Sequence, residues 1–388
     1  MSRYHSYINS AKEILTQYKG EEPFTSFLKK SFSQHKKYGS KDRKEISHLC
    51  YCYFRLGKSL PGISMEERIL SGFFLCSEKP DKVLQELKAV WNEKAGLSVE
   101  DKISLIDSSI SIQDIFPWQN ELSESIDKKE FIYSHLQQPD LFFRLRPGKE
   151  NLVKQKLGAA GIHFDIISDS CLALPNSSKI GGIVELDKEA VVQDYSSQRV
   201  GAFLPLTVDR RPLTVWDCCA ASGGKSIMVT DILNEIDLTV SDIRESILVN
   251  LKKRFATAGM KNYKSIVADL TRPINYFKDQ HFNLILADVP CSGSGTWGRT
   301  PEQLVFFEDK KIEEYTTLQK KIISTIIPKL QPGGHLLYIT CSVFKKENEE
   351  VVEFIKAKFH LELIKTELLK GYNKKADTMF VALLQKLK

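Results

Sequence analysis

The sequence predicts a doubly wound α/β domain in the C-terminal half, preceded by a small α+β unit and an all-helical N-terminal domain. Three observations carry this. From residue 213 onward, short apolar runs alternate with helical segments, the rhythm of a sheet whose strands are joined by crossover helices. Residues 1–127 hold few Gly or Pro and repeat apolar residues at helical spacing. Between them, over 139–203, short apolar runs are punctuated by Pro and Gly. The domains are assigned to 1–130, 138–205 and 206–388.

A chain of 388 residues exceeds what one compact core usually holds. Hydrophobic content of 42% with 27% charged residues is that of an ordinary globular protein. No apolar run approaches the roughly 18 residues that span a bilayer. The N-terminus lacks the apolar core of a signal peptide, so a cytoplasmic location without a membrane partner is expected. Eight cysteines with no CxxC pair argue against a disulfide scaffold and against zinc, so no metal is expected. A net charge of +6 is compatible with nucleic acid without requiring it. A monomer is expected.

In chain order, Ile46, Leu49, Cys50 and Tyr53, then Ile69, Leu70, Phe73 and Phe74, mark helix faces. A basic stretch (Lys29, Lys30, His35, Lys36, Lys37, Lys41, Arg43, Lys44) reads either as a solvated face or as an RNA-facing patch. In the small unit, strands are predicted at 141–145, 163–167, 173–174 and 182–186, with a helix over 149–158. In the C-terminal domain, strands are predicted at 213–217, 238–242, 265–268, 282–288 and 336–340. Helices are predicted up to 233 and over 246–258, 309–330 and 347–359. Apolar stretches at 361–364 and 379–384 read as a closing hairpin.

Open α/β sheets bind ligands outside the carboxyl ends of their strands, so the residues there matter most. The first C-terminal strand ends in Asp217, then Cys218, Cys219, Ala220, Ala221, Ser222, Gly223, Gly224 and Lys225. Small residues and a following helix N-terminus let a ligand approach the backbone, although neither the GxGxxG nor the GxxxxGK[ST] pattern is present. Asp242 ends the second strand, where an acid can hold ribose hydroxyls; it can equally cap the next helix, with Glu245 three positions on. Asp269 follows the third strand and could accept from an adenine amine. Together these favour an adenosine-containing ligand. The fourth strand ends in Asp288, Val289, Pro290 and Cys291, the fifth in Thr340, Cys341 and Ser342. One cysteine at a strand end is usually core; two, each followed by Ser at adjacent strand ends, are better explained by chemistry.

Methylation of carbon 5 of cytosine needs two such groups. A thiolate adding to carbon 6 makes carbon 5 nucleophilic, and a second group must then help remove the proton at carbon 5 and expel the thiol. Asp288 could stabilise charge at ring nitrogen 3, and the Pro290 carbonyl could accept from the exocyclic amine. The residues alone do not choose which cysteine attacks.

The segment DCCAASGGK resembles the S-adenosylmethionine loop of the Sun/Fmu-type RNA cytosine-5 methyltransferases, which include bacterial 16S rRNA enzymes. DVPCSGSG is similar to that family's DAPCSGTG, YITCS to its TCS segment, and VVQDYSSQ to its VQDxSSQ stretch. The resemblance runs from about residue 139 to the C-terminus and implies a Rossmann-like class I methyltransferase domain. It implies Cys341 as nucleophile, Cys291 in release, and Asp288 and Lys225 in the site. It also implies that S-adenosyl-L-methionine is held by the 218–225 loop, Asp242, Arg244, Asp269 and Asp288. Arg299, in the stretch from Trp297 to Glu302, and Arg144 are the expected RNA contacts, beside Pro290. A shorter resemblance around 38–55 implies a NusB-like, RNA-binding helical domain. The implied substrate is rRNA, with tRNA as the alternative. Ser222 stands where the family has Pro, which implies a less rigid cofactor loop. Arg144-Leu145-Arg146 replaces R-x-N, and Asp377-Thr378-Met379-Phe380 replaces DGFF. Two other readings are an amino-group methyltransferase, against which DVPC replaces (D/N)PP(Y/F), and an inactive RNA-binding assembly factor, against which Cys291, Cys341, Asp288 and Lys225 are all intact.

Overall fold

The computed structural model describes residues 3–35, 37–106, 111–204, 212–274, 276–277 and 280–387. The chain divides into two compact units: Met1–Asn120 with Asp127–Gln138 and Thr296–Glu308, and Glu121–Ile126 with Pro139–Gly295 and Asp309–Lys388. No helix among the described residues is long and apolar enough to cross a membrane.

The first unit is helical. Its longest helices are Arg3–Gln17, Phe24–Gln34, Ser40–Arg55 and Met65–Cys76. The first buries Tyr7, Ile8, Ala11, Ile14 and Leu15, one stripe at three- and four-residue spacing. The fourth starts at Ser64, whose side chain accepts from Glu67 N at 3.2 Å. It crosses Ser40–Arg55 at Gly72, where an added Cβ would stand 2.3 Å from the Cys52 carbonyl oxygen. The sequence treats 206–388 as one stretch, but Thr296–Glu308 packs inside this helical unit. Trp297, 1% exposed, lies against Phe116, Trp118 and Phe307. Phe306 meets Tyr18 edge-on at 5.3 Å, and Glu302 accepts from Phe24 N at 3.1 Å. Burial of these aromatic rings explains the placement. Buried Arg55 donates to the carbonyls of His135, Gln137 and Gly298, tying three separate segments of the unit together.

The second unit holds two sheets. The smaller is antiparallel in the order β2-β3-β1-β4, from Asp165–Ser168, Cys171–Leu174, Leu141–Leu145 and Ala190–Val192. The strand expected over 182–186 is not formed. Gly182 and Asp187 both take positive φ, so the chain turns there and makes only a single bridge, Leu186 to Ala190, before β4 begins. The larger sheet runs β10-β11-β9-β8-β5-β6-β7. Its strands are β5 (Leu213–Asp217), β6 (Ile236–Asp242), β7 (Tyr263–Val267), β8 (Phe282–Asp288), β9 (Leu330–Thr340), β10 (Leu361–Leu369) and β11 (Met379–Lys386). β5 to β9 are parallel; β11 lies antiparallel to β9, and β10 to β11, giving the expected hairpin. Near-continuous apolar burial on β5, β8 and β9 reflects helices on both faces. From β5 the chain winds one way through β6 and β7, then returns to the other side as β8 and β9. That reversal opens a crevice at the carboxyl ends of β5 and β8.

Candidate active site

The loop after β5 is stitched into the crevice largely by its own backbone. Cys218 N donates to Leu286 O at 3.0 Å, Ala220 N to Ser241 O at 2.9 Å, and Gly223 N to Ala220 O at 2.8 Å. Ala221 and Gly223 take positive φ, and the Gly223 α-carbon faces the Phe255 ring so closely that a Cβ would lie 2.5 Å away. Ala221 N donates to Asp242 Oδ2 at 3.0 Å, while Asp242 Oδ1 accepts from Arg244 N and Nε, both at 3.0 Å. The helix-capping reading of Asp242 is thereby corrected: the next helix starts at Glu245 with Arg244 as its N-cap, and the Asp242 carboxylate turns back to the loop instead. The expected looseness at Ser222 is corrected as well. Arg254 Nη1 donates to Ser222 O at 3.0 Å and Oγ at 2.8 Å, and Arg254 is itself held by Asp187 at 2.6 Å.

Asp242, Arg244, Asp269, Cys218 and Cys219 share a cavity of about 450 Å³ with Ile243, Leu270, Asp288, Pro290, Cys291, Leu318, Ile322 and Cys341. Asp269 accepts from the hydroxyl (2.7 Å) and the N–H (3.0 Å) of Thr271, which hold its carboxyl below the ordinary value. A second cavity, about 260 Å³, is lined by Ala220, Ser222, Gly224 and Lys225 with Gln193, Asp194, Asp217 and Asp377. Ala221, Asp288 and Cys341 line both. Gly223 lines neither; its part is to make the turn.

Lys225 Nζ lies 2.8 Å from Asp288 Oδ2. Burial opposes the Lys225 charge, but Asp288 and the nearby Cys341 outweigh it and raise the ammonium above its ordinary value. Cys341 N donates to Cys291 Sγ at 3.3 Å, so the two thiol residues are adjacent. The side-chain interaction with the Cys341 thiol and burial both push the Cys291 thiol well up, keeping it protonated. Gly295 fixes the spacing of the loops: its N–H donates to Cys341 O, and its carbonyl accepts from Thr378 N, each at 2.9 Å.

Two expected RNA contacts line neither cavity. Arg144 is buried, paired with Asp231 at 2.7 Å and bonded to Gln193, where it joins the small sheet to the helix Gly224–Leu233. Arg299 belongs to the helical unit. Sequence reasoning placed Asp217 only at its strand end, without a role in the site, and missed Arg254, Gln319 and Glu347. Asp217 is 1% exposed; its Oδ2 accepts from Ser226 at 2.6 Å, and its Oδ1 has no protein partner. Burial, with Asp288 adding to it and Ser226 opposing, pushes its carboxyl up to about 7. Its place beside the loop was a signal; the other three become visible only once distant segments meet.

Residues 207–385 match the family described as 16S rRNA methyltransferase RsmB/F. The ribosomal RNA small subunit methyltransferase B of Salmonella paratyphi A is 35% identical over 162 residues, covering 42% of this chain and 37% of the relative. The match thus spans little more than a third of that relative's length. The structure of PH0851 superimposes with a TM-score of 0.69 at 18% identity, over 99% of this chain and 98% of that one. NSun6 from Pyrococcus horikoshii, solved with SFG, gives 0.60 at 15% identity over 71% and 98%. At such identities the two structures speak for the fold alone. Over residues 207–385, which supply most of the cavity walls, the chain is similar to the RsmB/F family of 16S rRNA methyltransferases.

Proposed function

We propose that the chain is an S-adenosylmethionine-dependent RNA methyltransferase that modifies carbon 5 of a cytosine, through a covalent bond between Cys341 and carbon 6. The observation that carries this is the pair of thiol residues, Cys341 N to Cys291 Sγ at 3.3 Å, on a cavity wall shared with Asp288. An amine target already carries a lone pair and needs no thiol.

The larger cavity suits the cofactor. Asp242 and Asp269 offer carboxylates for a ribose diol and an adenine amine, between the apolar Ile243 and Leu270. Bound there, S-adenosylmethionine supplies an electrophilic methyl group. The residues of the chain do the rest. Cys341, which shares a cavity wall with the Lys225 ammonium, is assigned the attack, its thiol proton leaving to solvent as the sulfur bonds to carbon 6; Cys291 keeps its proton meanwhile. Asp288 faces the ring to stabilise charge developing at nitrogen 3, and the Pro290 carbonyl takes the exocyclic amine. Once Cys341 sulfur is bonded to carbon, the charge that opposed ionisation of Cys291 is gone. Cys291 then gives its thiol proton to solvent and, as thiolate, accepts the proton from carbon 5 as the carbon 5–carbon 6 double bond reforms and Cys341 leaves as thiolate.

The base must be unpaired or flipped to reach these groups. In the helical unit, Lys29, Lys30, His35, Lys37, Lys41, Arg43 and Lys44 are exposed, which supports an RNA-facing role for that stretch; Lys36 lies outside the described residues. The family match favours rRNA, with tRNA second. Cys341→Ala is expected to abolish methyl transfer while leaving cofactor binding intact; retained activity refutes the mechanism. Mapping 5-methylcytosine with and without the gene names the RNA.

A further inference from the structure

The carboxylate of Glu347, fully buried in the turn after β9, touches neither cavity, yet the segments bearing both thiols converge on it. Its Oε2 accepts from Ser292 N at 2.8 Å and from Gln319 Nε2 at 3.0 Å, and its Oε1 accepts from Ser342 Oγ at 2.8 Å. Ser292 follows Cys291, and Ser342 follows Cys341. The Gln319 amide also donates to the Pro290 carbonyl at 3.1 Å. The Ser342 hydroxyl lies 3.2 Å from both Ser292 Oγ and Ser294 Oγ. One carboxyl group thus receives the donors of both loops.

The two cysteines depend on this brace unequally. Cys341 directly follows Thr340, the last residue of β9, a strand paired on both sides with β8 and β11, and its carbonyl is held by Gly295 N. Cys291 lies in a stretch of irregular backbone after β8, and the residue beside it is tethered to Glu347. We propose that Glu347 is a positioning residue that holds Cys291 against Cys341, and that its loss stalls release of the covalent intermediate before it impairs attack. This rests on the covalent reading above. In attack, the Cys341 thiol gives its proton to solvent, its sulfur bonds to carbon 6, and the ring takes up the electron pair, with which carbon 5 takes the methyl group. In release, Cys291, its own proton given up to solvent, takes the proton from carbon 5, that pair restores the double bond, and the carbon–sulfur bond breaks with Cys341 leaving as thiolate. Only release needs Cys291 in place.

The test expresses the full-length chain and its variants in cells, then looks on denaturing gels for a slower band that nuclease removes. Product is followed by transfer of labelled methyl groups. Cys291→Ala should show the band, and Cys291→Ala combined with Cys341→Ala should not. Glu347→Ala should show it too, at no less than about a tenth of the Cys291→Ala level, with turnover lowered at least about tenfold and the cofactor KM within about twofold. Glu347→Met, which fills the space without an acceptor, should behave alike and serves if the alanine variant does not fold. Glu347→Gln keeps an oxygen for Ser292 N–H and should restore turnover to within about threefold with little band. A simple loss of folding would lower band and product together. If Cys291→Ala traps RNA but folded Glu347 variants lose turnover without trapping it, or keep turnover, the role assigned to Glu347 is wrong. If Cys291→Ala itself traps nothing, the covalent reading fails instead.

Discussion

The loop after β5 and the loops after β8 and β9 stand at the same edge of one sheet, yet they are held by different means. The first is sewn down by backbone hydrogen bonds, two of them to the neighbouring strands, a positive-φ glycine and a carboxylate from the next strand. The other two are braced by side chains, centred on Glu347 of the loop after β9 and on Gln319. A loop tied through its backbone to the strands beside it keeps its shape as long as the sheet does. Loops held by one shared carboxylate move together or not at all, which suits two thiols that must act in sequence.

The largest expected effect comes from the point where the two thiol loops meet through the backbone. A Cβ at Gly295 would lie 1.9 Å from the Thr378 carbonyl oxygen and 3.0 Å from that of Cys341. Gly295→Ala should therefore separate the thiol loops, abolish methylation, and cost about 3 kcal/mol or more in chemical denaturation. Cofactor affinity measured by calorimetry should survive in whatever protein folds, because the loop after β5 does not depend on Gly295.

Asp217 gives a smaller effect, on the β5 side. Its folded value is raised to about 7 from 3.8, so its contribution to stability is complete below about pH 4 and is lost as pH rises through 7. Three pH units set a ceiling of about 4 kcal/mol, which local relaxation and water access reduce to about 2. Asp217→Asn should flatten the decline in Tm between pH 5 and 8 relative to wild type; parallel curves would show that the carboxyl is ionised throughout. The smallest effect tests the clamp on Ser222. Arg254→Ala should raise the cofactor KM about fivefold with kcat nearly unchanged, as expected for losing about 1 kcal/mol of loop ordering. In a Ser222→Pro background the same change should cost less, because proline already restricts the loop.

Much of the catalytic-type domain was legible from local pattern. β1, β5 and β8 fall at their expected residues, and the small side chains of 218–224 announce a loop that a ligand can approach. Strand alternation also brought Cys291 and Cys341 together before any coordinate did. What failed was governed by distant contacts. The extended stretch at 182–186 is overridden by turns at Gly182 and Asp187, which is held by Arg254 of a later helix. Arg144 has the look of an RNA contact, but its guanidinium is spent on Asp231 of a helix far along the chain. Ser222 seems loose only until the partner 32 positions away is known. Glu347 could not be singled out at all, since nothing in a lone glutamate tells that two cysteine loops will fold onto it.

The insertion of Thr296–Glu308 into the helical core bears on how the protein is made. Synthesis runs at about 5 to 20 residues per second, so the segment follows the rest of its own core by roughly ten to thirty seconds. Until it arrives, the rings of Phe116 and Trp118 lack Trp297, and Phe24 N–H lacks its acceptor. The N-terminal helices therefore emerge first but cannot finish folding first. Cutting the gene between the two units would yield an N-terminal fragment with an open core, whereas supplying the missing segment as a peptide offers a direct way to close it.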